Sequence, residues 1–354
     1  MRIAQIAPLH ESVPPRLYGG TERIVSYLTE ELVQQGHDVT LFASGDSVTK
    51  ANLIACCPKS LRLDKNCILE LPHHVLMLEQ VLRNADQFDV IHSHIDYLPF
   101  PLFRRSSVPA ITTLHGRLDL PDLVPIFREF NDMNVASISN DQRIPLHWLN
   151  WLGTVYHGLP TSLYSFQENR GKYLAFLGRI SPEKCTDRAI EIAMRAGIKL
   201  IIAAKVDKAD LEYFDEIVKP MLDHPLIEYI GEIGEIEKEV LLGNACALLF
   251  PIDWPEPFGL VMIESLACGT PVIAYNRGSV PEVIENGVNG YIVSSIEEAA
   301  KAVEKIDELS RLRCRQIFEE RFSVSRMAND YLAIYEQLMD KAESPLKPLL
   351  RNVA

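Results

Sequence analysis

Short apolar runs and stretches of helical spacing take turns along this chain. Ile3 to Ala7 reads as a buried strand. Arg23 to Gln35 then places Ile24, Val25, Leu28, Leu32 and Val33 on one helix face, and Gly36 ends the helix. Val39 to Ala43 follows as a second strand, and a β-α-β opening predicts a parallel sheet. Strands are predicted again at Asp89–His94, Ala110–Leu114 and Asn134–Ser139, with a helix start at Asn140–Arg143 and the half closing at Gly153–Gly158. The rhythm restarts with a strand at Tyr173–Leu177, a loop at Gly178–Lys184 and a helix at Asp187–Ala196. Strands at Leu200–Ala204, Ile227–Ile230, Ala245–Phe250 and Val272–Ala274 follow, with a helix from Ala209 between the first two. Leu260 to Ala267 has helical spacing and is stopped by Gly269 and Pro271. The last helices are placed at Ile296–Lys305 and Met327–Lys341. The whole reads as an α/β chain in two halves, joined near residue 160 through the polar stretch Thr161–Gly171.

Bulk properties narrow the function. A length of 354 residues with 47% hydrophobic content supports two packed cores. A formal charge of -13 argues against non-specific binding to nucleic acid. No apolar run approaches the ~18 residues of a membrane span, and Met1–Pro8 does not have the pattern of a signal peptide. The 7 cysteines are scattered without a C-x-x-C pair, which predicts free thiols in a reducing compartment and a cytoplasmic protein.

The richest chemistry lies in Pro251–Ser265. Glu256 falls in a strand-to-helix loop and Glu264 about a turn into the helix that follows. That is the carboxyl end of a strand, where open α/β sheets bind ligands. The free amides near Gly259, Leu260 and Val261 suit an anion. In the first half, Gly19 and Gly20 precede a helix N-terminus, where backbone can approach a phosphate closely. Strand ends carry His92, His94, Asp96 and His115, without the helical spacing of a metal site. Arg179 and Lys184 are two fixed cations in the loop after a predicted strand. No Asp-x-Asp triplet that would hold a divalent ion occurs in the chain.

Glu256-Pro257-Phe258-Gly259-Leu260-Val261, with Glu264 closing the Glu-x7-Glu pair, resembles the signature of glycosyltransferase family 4. The resemblance extends over nearly the whole chain. It implies the GT-B architecture of two Rossmann-like domains facing each other across a cleft. Residues 1–160 would form the acceptor side and 161–325 the nucleotide-sugar domain, with a helix from about 326 to 354 packing back on the first. The reaction implied is retaining transfer of a hexose, with a donor phosphate oxygen taking the acceptor proton. The donor would be UDP-glucose or UDP-N-acetylglucosamine, and the acceptor a hydroxyl in polysaccharide or glycoconjugate synthesis. Neither metal nor other cofactor is implied. A lipid acceptor would bring the protein to a membrane surface.

The resemblance also carries residue roles. Glu256, His115, Arg179 and Lys184 are the catalytic group: Glu256 on the sugar's 3- or 4-hydroxyl, His115 at its 6-hydroxyl, the two cations on the diphosphate. Glu264 would take the ribose hydroxyls, and the amides of Phe258, Gly259, Leu260 and Val261 would support the sugar. Gly231, Glu232, Ile233 and Lys205 would lie by the base, and Gly19 and Gly20 by the diphosphate or acceptor. Tyr18, His94 and Asp96 would line the acceptor side. Two departures stand out: His157-Gly158 where the family usually reads Asn-Gly, and Cys185 where it usually has glycine. Three rival readings are a nucleotide-sugar 2-epimerase, a glycogen-type phosphorylase and a non-catalytic sugar-nucleotide scaffold. An epimerase would consume donor without an acceptor, a phosphorylase needs a pyridoxal phosphate lysine, and a scaffold is expected to lose one of the four charged residues.

Overall fold

A computed structural model describes residues 1–16 and 19–343. The first sheet contains β1 (Arg2–Ile6), β2 (Asp38–Ser44), β3 (Asn52–Cys57), β4 (Val90–Ser93), β5 (Ala110–Thr113), β6 (Val135–Ser137) and β7 (Trp151–Thr154). The second contains β8 (Tyr173–Ile180), β9 (Lys199–Val206), β10 (Ile227–Gly231), β11 (Ala247–Phe250), β12 (Val272–Tyr275) and β13 (Gly290–Val293). The orders are β3-β2-β1-β4-β5-β6-β7 and β10-β9-β8-β11-β12-β13, and every pair is parallel. Each sheet therefore runs outward in both directions from its first strand, as in a doubly wound fold. The direction reverses between β1 and β4 in one sheet and between β8 and β11 in the other. Those two points are where such sheets open a crevice.

The helices explain why the strands are buried. Gly20–Gln34 puts Ile24, Leu28 and Leu32, all fully buried, toward the first sheet. Leu260–Ala267 buries Met262, Ile263 and Leu266 completely in the second. The helix Val324–Glu343 returns to the first lobe and packs on Gly20–Gln34 and β4. Its Tyr331 and Tyr335 are fully buried there. The backbone crosses between lobes twice at one place, where Leu159 N–H donates to Phe322 O at 2.9 Å and Val324 N–H donates to Leu159 O at 2.9 Å. One apolar core runs through this crossing from Ile3 and Val90 to Met262 and Phe322.

The structure corrects several expected boundaries. Gly178 and Arg179 belong to β8 rather than to a loop, because β8 pairs with β9 as far as Ile180 and Val206. Lys205 is likewise a strand residue. Asp141–Leu146 forms a 3-10 turn, with Pro145 inside it, instead of opening an α-helix. The segment after Ala209 is one short α turn, a π turn and a 3-10 turn instead of a single helix. Strand β3 and the helices Leu71–Arg83 and Arg311–Arg321 were not anticipated. The part of the expected final helix beyond 343 lies outside the described residues, as does Tyr18.

Candidate active site

The two crevices face each other and form one cavity of about 760 Å³. Gly19, Gly20, His94, Asp96 and His115 line it from the first lobe. Arg179, Lys184, Glu256, Phe258, Gly259, Leu260 and Val261 line it from the second. Sequence positions 19 to 261 thus meet because strands β1, β4, β5, β8 and β11 all deliver their carboxyl ends to this gap. Lys205, Gly231, Glu232, Ile233 and Glu264 are not among its lining residues.

Backbone contacts lock the loop that carries Glu256. Ser279 N–H donates to Glu256 O at 3.0 Å, and Ser279 Oγ donates to Phe258 O at 2.8 Å. Gly278 makes the approach possible: with φ at +53°, a Cβ there would sit 2.4 Å from both Glu256 N and Glu256 O. The Glu256 side chain forms an ion pair with Lys184 and accepts from Trp254 Nε1 at 3.1 Å. The Lys184 ammonium also lies 5.0 Å from the Trp254 ring centroid and 5.5 Å from that of Phe250. Glu256 is 8% exposed, so its carboxyl group depends on these partners for its hydrogen bonds. Lys184 closes a 3-10 turn, and Cys185 after it takes φ 51° and ψ 56°. That is the left-handed region glycine favours, so the cysteine keeps the conformation that the family's usual glycine would adopt.

Arg179 is held by Glu183 as an ion pair, with Asp207 at 3.6 Å and Asp210 at 3.5 Å. Lys205 pairs with Asp207 at 2.8 Å. The Lys205 hydrogen bond is the main cause that keeps the Asp207 carboxyl below its usual range, while burial pushes Asp210 up.

Glu264 reaches into a network with no local signature in its own stretch of chain. It is 5% exposed, and Lys238 Nζ donates to its Oε1 at 2.8 Å. Lys238 also lies 3.5 Å from Glu235. Glu235 in turn accepts from Tyr164 OH and forms an ion pair with Arg23, on the first lobe's Gly20–Gln34 helix. The expected ribose carboxylate is therefore tied through two charged residues to the opposite lobe.

A chain of side chains fixes the state of His115. Gln5 Nε2 donates to Tyr335 OH at 3.2 Å, which turns Gln5 Oε1 toward His94 Nε2 at 2.9 Å. His94 Nε2 must then carry the proton. Burial lowers the His94 pKa well below its ordinary value, so the ring is neutral and its Nδ1 is bare. His115 Nε2, 2.9 Å away, has to donate to that Nδ1. Burial holds His115 down to about 3, so it too is neutral. Its Nδ1 is left as a bare acceptor, buried and without a hydrogen-bond partner. His92 plays no part at the cavity: it is buried between Tyr335 OH at 2.6 Å and Thr113 Oγ1 at 2.7 Å. His157 stacks on His115 at 5.3 Å and meets Phe258 edge-on at 4.9 Å. It joins the two walls, a role its sequence position did not reveal. Among the described residues, no three His, Cys, Asp or Glu side chains converge to hold a metal ion.

Two doubly wound sheets that share one order over six strands, facing across a shared cavity, make the GT-B fold of glycosyltransferases. Residues 18–162 match the family described as Glycosyltransferase Family 4, and residues 165–323 match that described as Glycosyl transferases group 1. The chain belongs to this glycosyltransferase family. Among curated relatives, an uncharacterized 41.2 kDa protein in the cps region of Klebsiella pneumoniae is 30% identical over 170 residues, 46% of each chain. The match to Spore coat protein SA of Bacillus subtilis spans 25% of that protein, so the chain covers about half or less of these two relatives. D-inositol 3-phosphate glycosyltransferase of Mycolicibacterium smegmatis is 27% identical over 330 residues, 78% of this chain and 75% of the relative. Two solved structures share the fold. AviGT4, a glycosyltransferase involved in avilamycin A biosynthesis, has a TM-score of 0.75 at 23% identity, covering 96% of this chain and 98% of that one. Anabaena Alr3699/HepE, in complex with UDP and glucose, has a TM-score of 0.71 at 18% identity, covering 95% and 100%.

Proposed function

We propose that this protein transfers a hexose from a nucleoside-diphosphate sugar to an acceptor hydroxyl, with retention and without a metal ion. A UDP-linked donor is favoured by the family resemblance and by the UDP and glucose bound to the Anabaena protein of the same fold. The pairing of Lys184 with Glu256 inside the shared cavity carries the reading. A donor diphosphate draws Lys184 to itself and frees the Glu256 carboxylate for a sugar hydroxyl. Arg179 shifts from its acidic partners to the same diphosphate. As the bond from the anomeric carbon to the phosphate oxygen breaks, these cations meet the charge that develops. The acceptor oxygen bonds to the anomeric carbon on the same face, and its proton passes to the departing phosphate oxygen. Nucleoside diphosphate leaves.

The bare Nδ1 of His115 accepts from the sugar's 6-hydroxyl. The amides from Phe258 to Val261 support the sugar. Glu264 keeps one oxygen on Lys238 and offers the other to the ribose. Gly231, Glu232, Ile233 and Lys205 flank the base beyond the cavity. The protein's share is positioning and charge, with no covalent attack by Glu256. Transfer assays on Glu256→Ala and Arg179→Ala test this: each should lose roughly a hundredfold in turnover, the scale of one preorganised polar contact. Near-native rates in both variants would defeat the assignment. Activity should survive a chelator, and a loss restored by magnesium would remove the metal-free part.

A further inference from the structure

We infer, resting on the transferase reading, that the reacting end of the acceptor is an uncharged, hydroxyl-rich group, a sugar or polyol without phosphate. The first lobe's wall of the cavity decides this. It brings three carboxylates, Glu22, Glu70 and Asp96, together with Arg62 and His10. Each basic side chain is paired with a carboxylate, and the three cavity carboxylates outnumber the two of them. Arg62 donates to Glu11 at 3.0 Å, and His10 Nδ1 lies 2.8 Å from Glu70 Oε2. His74, on the same wall, is lowered by burial, and its Nε2 accepts from the Leu9 amide at 3.3 Å.

A phosphate at this wall would look for the N-terminus of the Gly20–Gln34 helix. The chain has put its own carboxyl group there, one whose pKa burial raises. Glu22, only 5% exposed, accepts from the Glu11 amide at 3.3 Å. Its other oxygen lies against Gly19, 3.3 Å from where a Cβ would be. A phosphate would face Glu22 rather than open amides.

The carboxylates on this wall take hydrogen bonds instead of giving them. Asp96 sits at the end of β4 in a left-handed conformation, φ 51°, which is uncommon for a residue with a side chain. Its carboxylate accepts from the His115 backbone amide and borders the cavity. Hydroxyl protons satisfy this set, whereas phosphate oxygens bring only lone pairs and negative charge. The cations Arg179 and Lys184 stand on the opposite wall, where the donor's diphosphate uses them.

Matched acceptor pairs offer the test: methyl glucoside, mannose and inositol, each beside its phosphate ester, given with UDP-glucose and with the donor a binding panel selects. Products are read by mass. Transfer is expected to the unphosphorylated member of a pair and at a far lower rate to its ester. Asp96→Asn should raise the acceptor KM about tenfold or more, the size of one lost hydrogen bond to a charged group, with donor affinity unchanged. Glu22→Gln should narrow the preference between pair members. Preference for the esters would overturn the inference. So would binding of donor with transfer to none of the unphosphorylated compounds. Failure of any nucleotide-sugar to bind would overturn the transferase reading along with it.

Discussion

Asp96 and His115 touch through one amide, yet their environments set them to opposite tasks. Burial holds His115 down to about 3, so its imidazole stays neutral and cannot titrate near neutrality. Burial pushes the Asp96 carboxyl up from 3.8 to about 6 although it faces the open cleft, and the His115 amide only partly offsets this. The sign follows from that direction. A raised carboxyl favours the folded state in its protonated form, so the contribution is full below 3.8 and is lost as pH rises through about 6. On the proposed reading, acceptor binding uses the ionised form. The acceptor KM should therefore climb as pH falls through about 6, and Asp96→Asn should flatten that climb while the donor's KM follows its own course. Initial rates across pH at saturating donor check it. A wild-type profile matching that of Asp96→Asn would show that another group titrates. At this scale the sequence was partly legible. Glu256, Lys184 and His115 stood in motifs, and the cavity collects all three. Lys238, Glu235 and Arg23 did not, because their pairing joins positions 26 and 212 apart in the chain. On its own stretch each reads as a solvated charge.

Among the elements, strand ends decide where chemistry can sit, and the loops after β8 and β11 are shaped by packing more than by propensity. Gly278 belongs to neither loop, but its missing Cβ lets Glu256's backbone approach. Gly278→Ala should cost at least about 1–2 kcal/mol for the left-handed conformation alone, and the displaced loop should lower turnover further. Thermal melting beside a transfer assay reads both effects, and a variant normal in each would show that the loop has slack. Helix Leu260–Ala267 was legible because its apolar spacing, Gly269 and Pro271 agree. Helix Arg311–Arg321 was hidden by its arginines. Arg311 is folded inward, donating to Gln167 O at 2.7 Å, Gly243 O at 2.7 Å and Ala245 O at 2.9 Å. Periodicity counts such a residue as solvent-facing, although here it ties loose carbonyl groups together. The end of β8 was missed for a related reason: Gly178 is a poor strand former, and it and Arg179 are held by pairing with Ala204 and Lys205.

For the whole molecule, the lobes are joined at the Leu159–Ser323 crossing and again, across the gap, by Arg23 and Glu235. Glu235 also meets Lys238, which holds Glu264, so on the proposed reading a ribose at Glu264 should pull on a contact between lobes. Arg23→Ala should weaken donor-linked compaction as read by small-angle scattering with and without nucleotide-sugar. An unchanged response would detach this contact from closure. The pattern of alternating strands and helices announced two parallel sheets. It could not announce that charge pairs from both would meet, since nothing local encodes contacts between distant segments.

The central claim is that a nucleoside-diphosphate sugar fills the cavity between the lobes, held by Lys184 there and by Glu264 beyond its lining. Thermal-shift titration against a panel of nucleotides and nucleotide-sugars tests it most directly, because a ligand of the native state raises the midpoint according to its affinity. One nucleotide-sugar should raise the midpoint of the native protein, and Lys184→Ala and Glu264→Ala should each weaken its binding about tenfold or more, as loss of a charged contact does. A panel in which no nucleotide-sugar moves the midpoint, or in which both variants bind as tightly as the native protein, would contradict it.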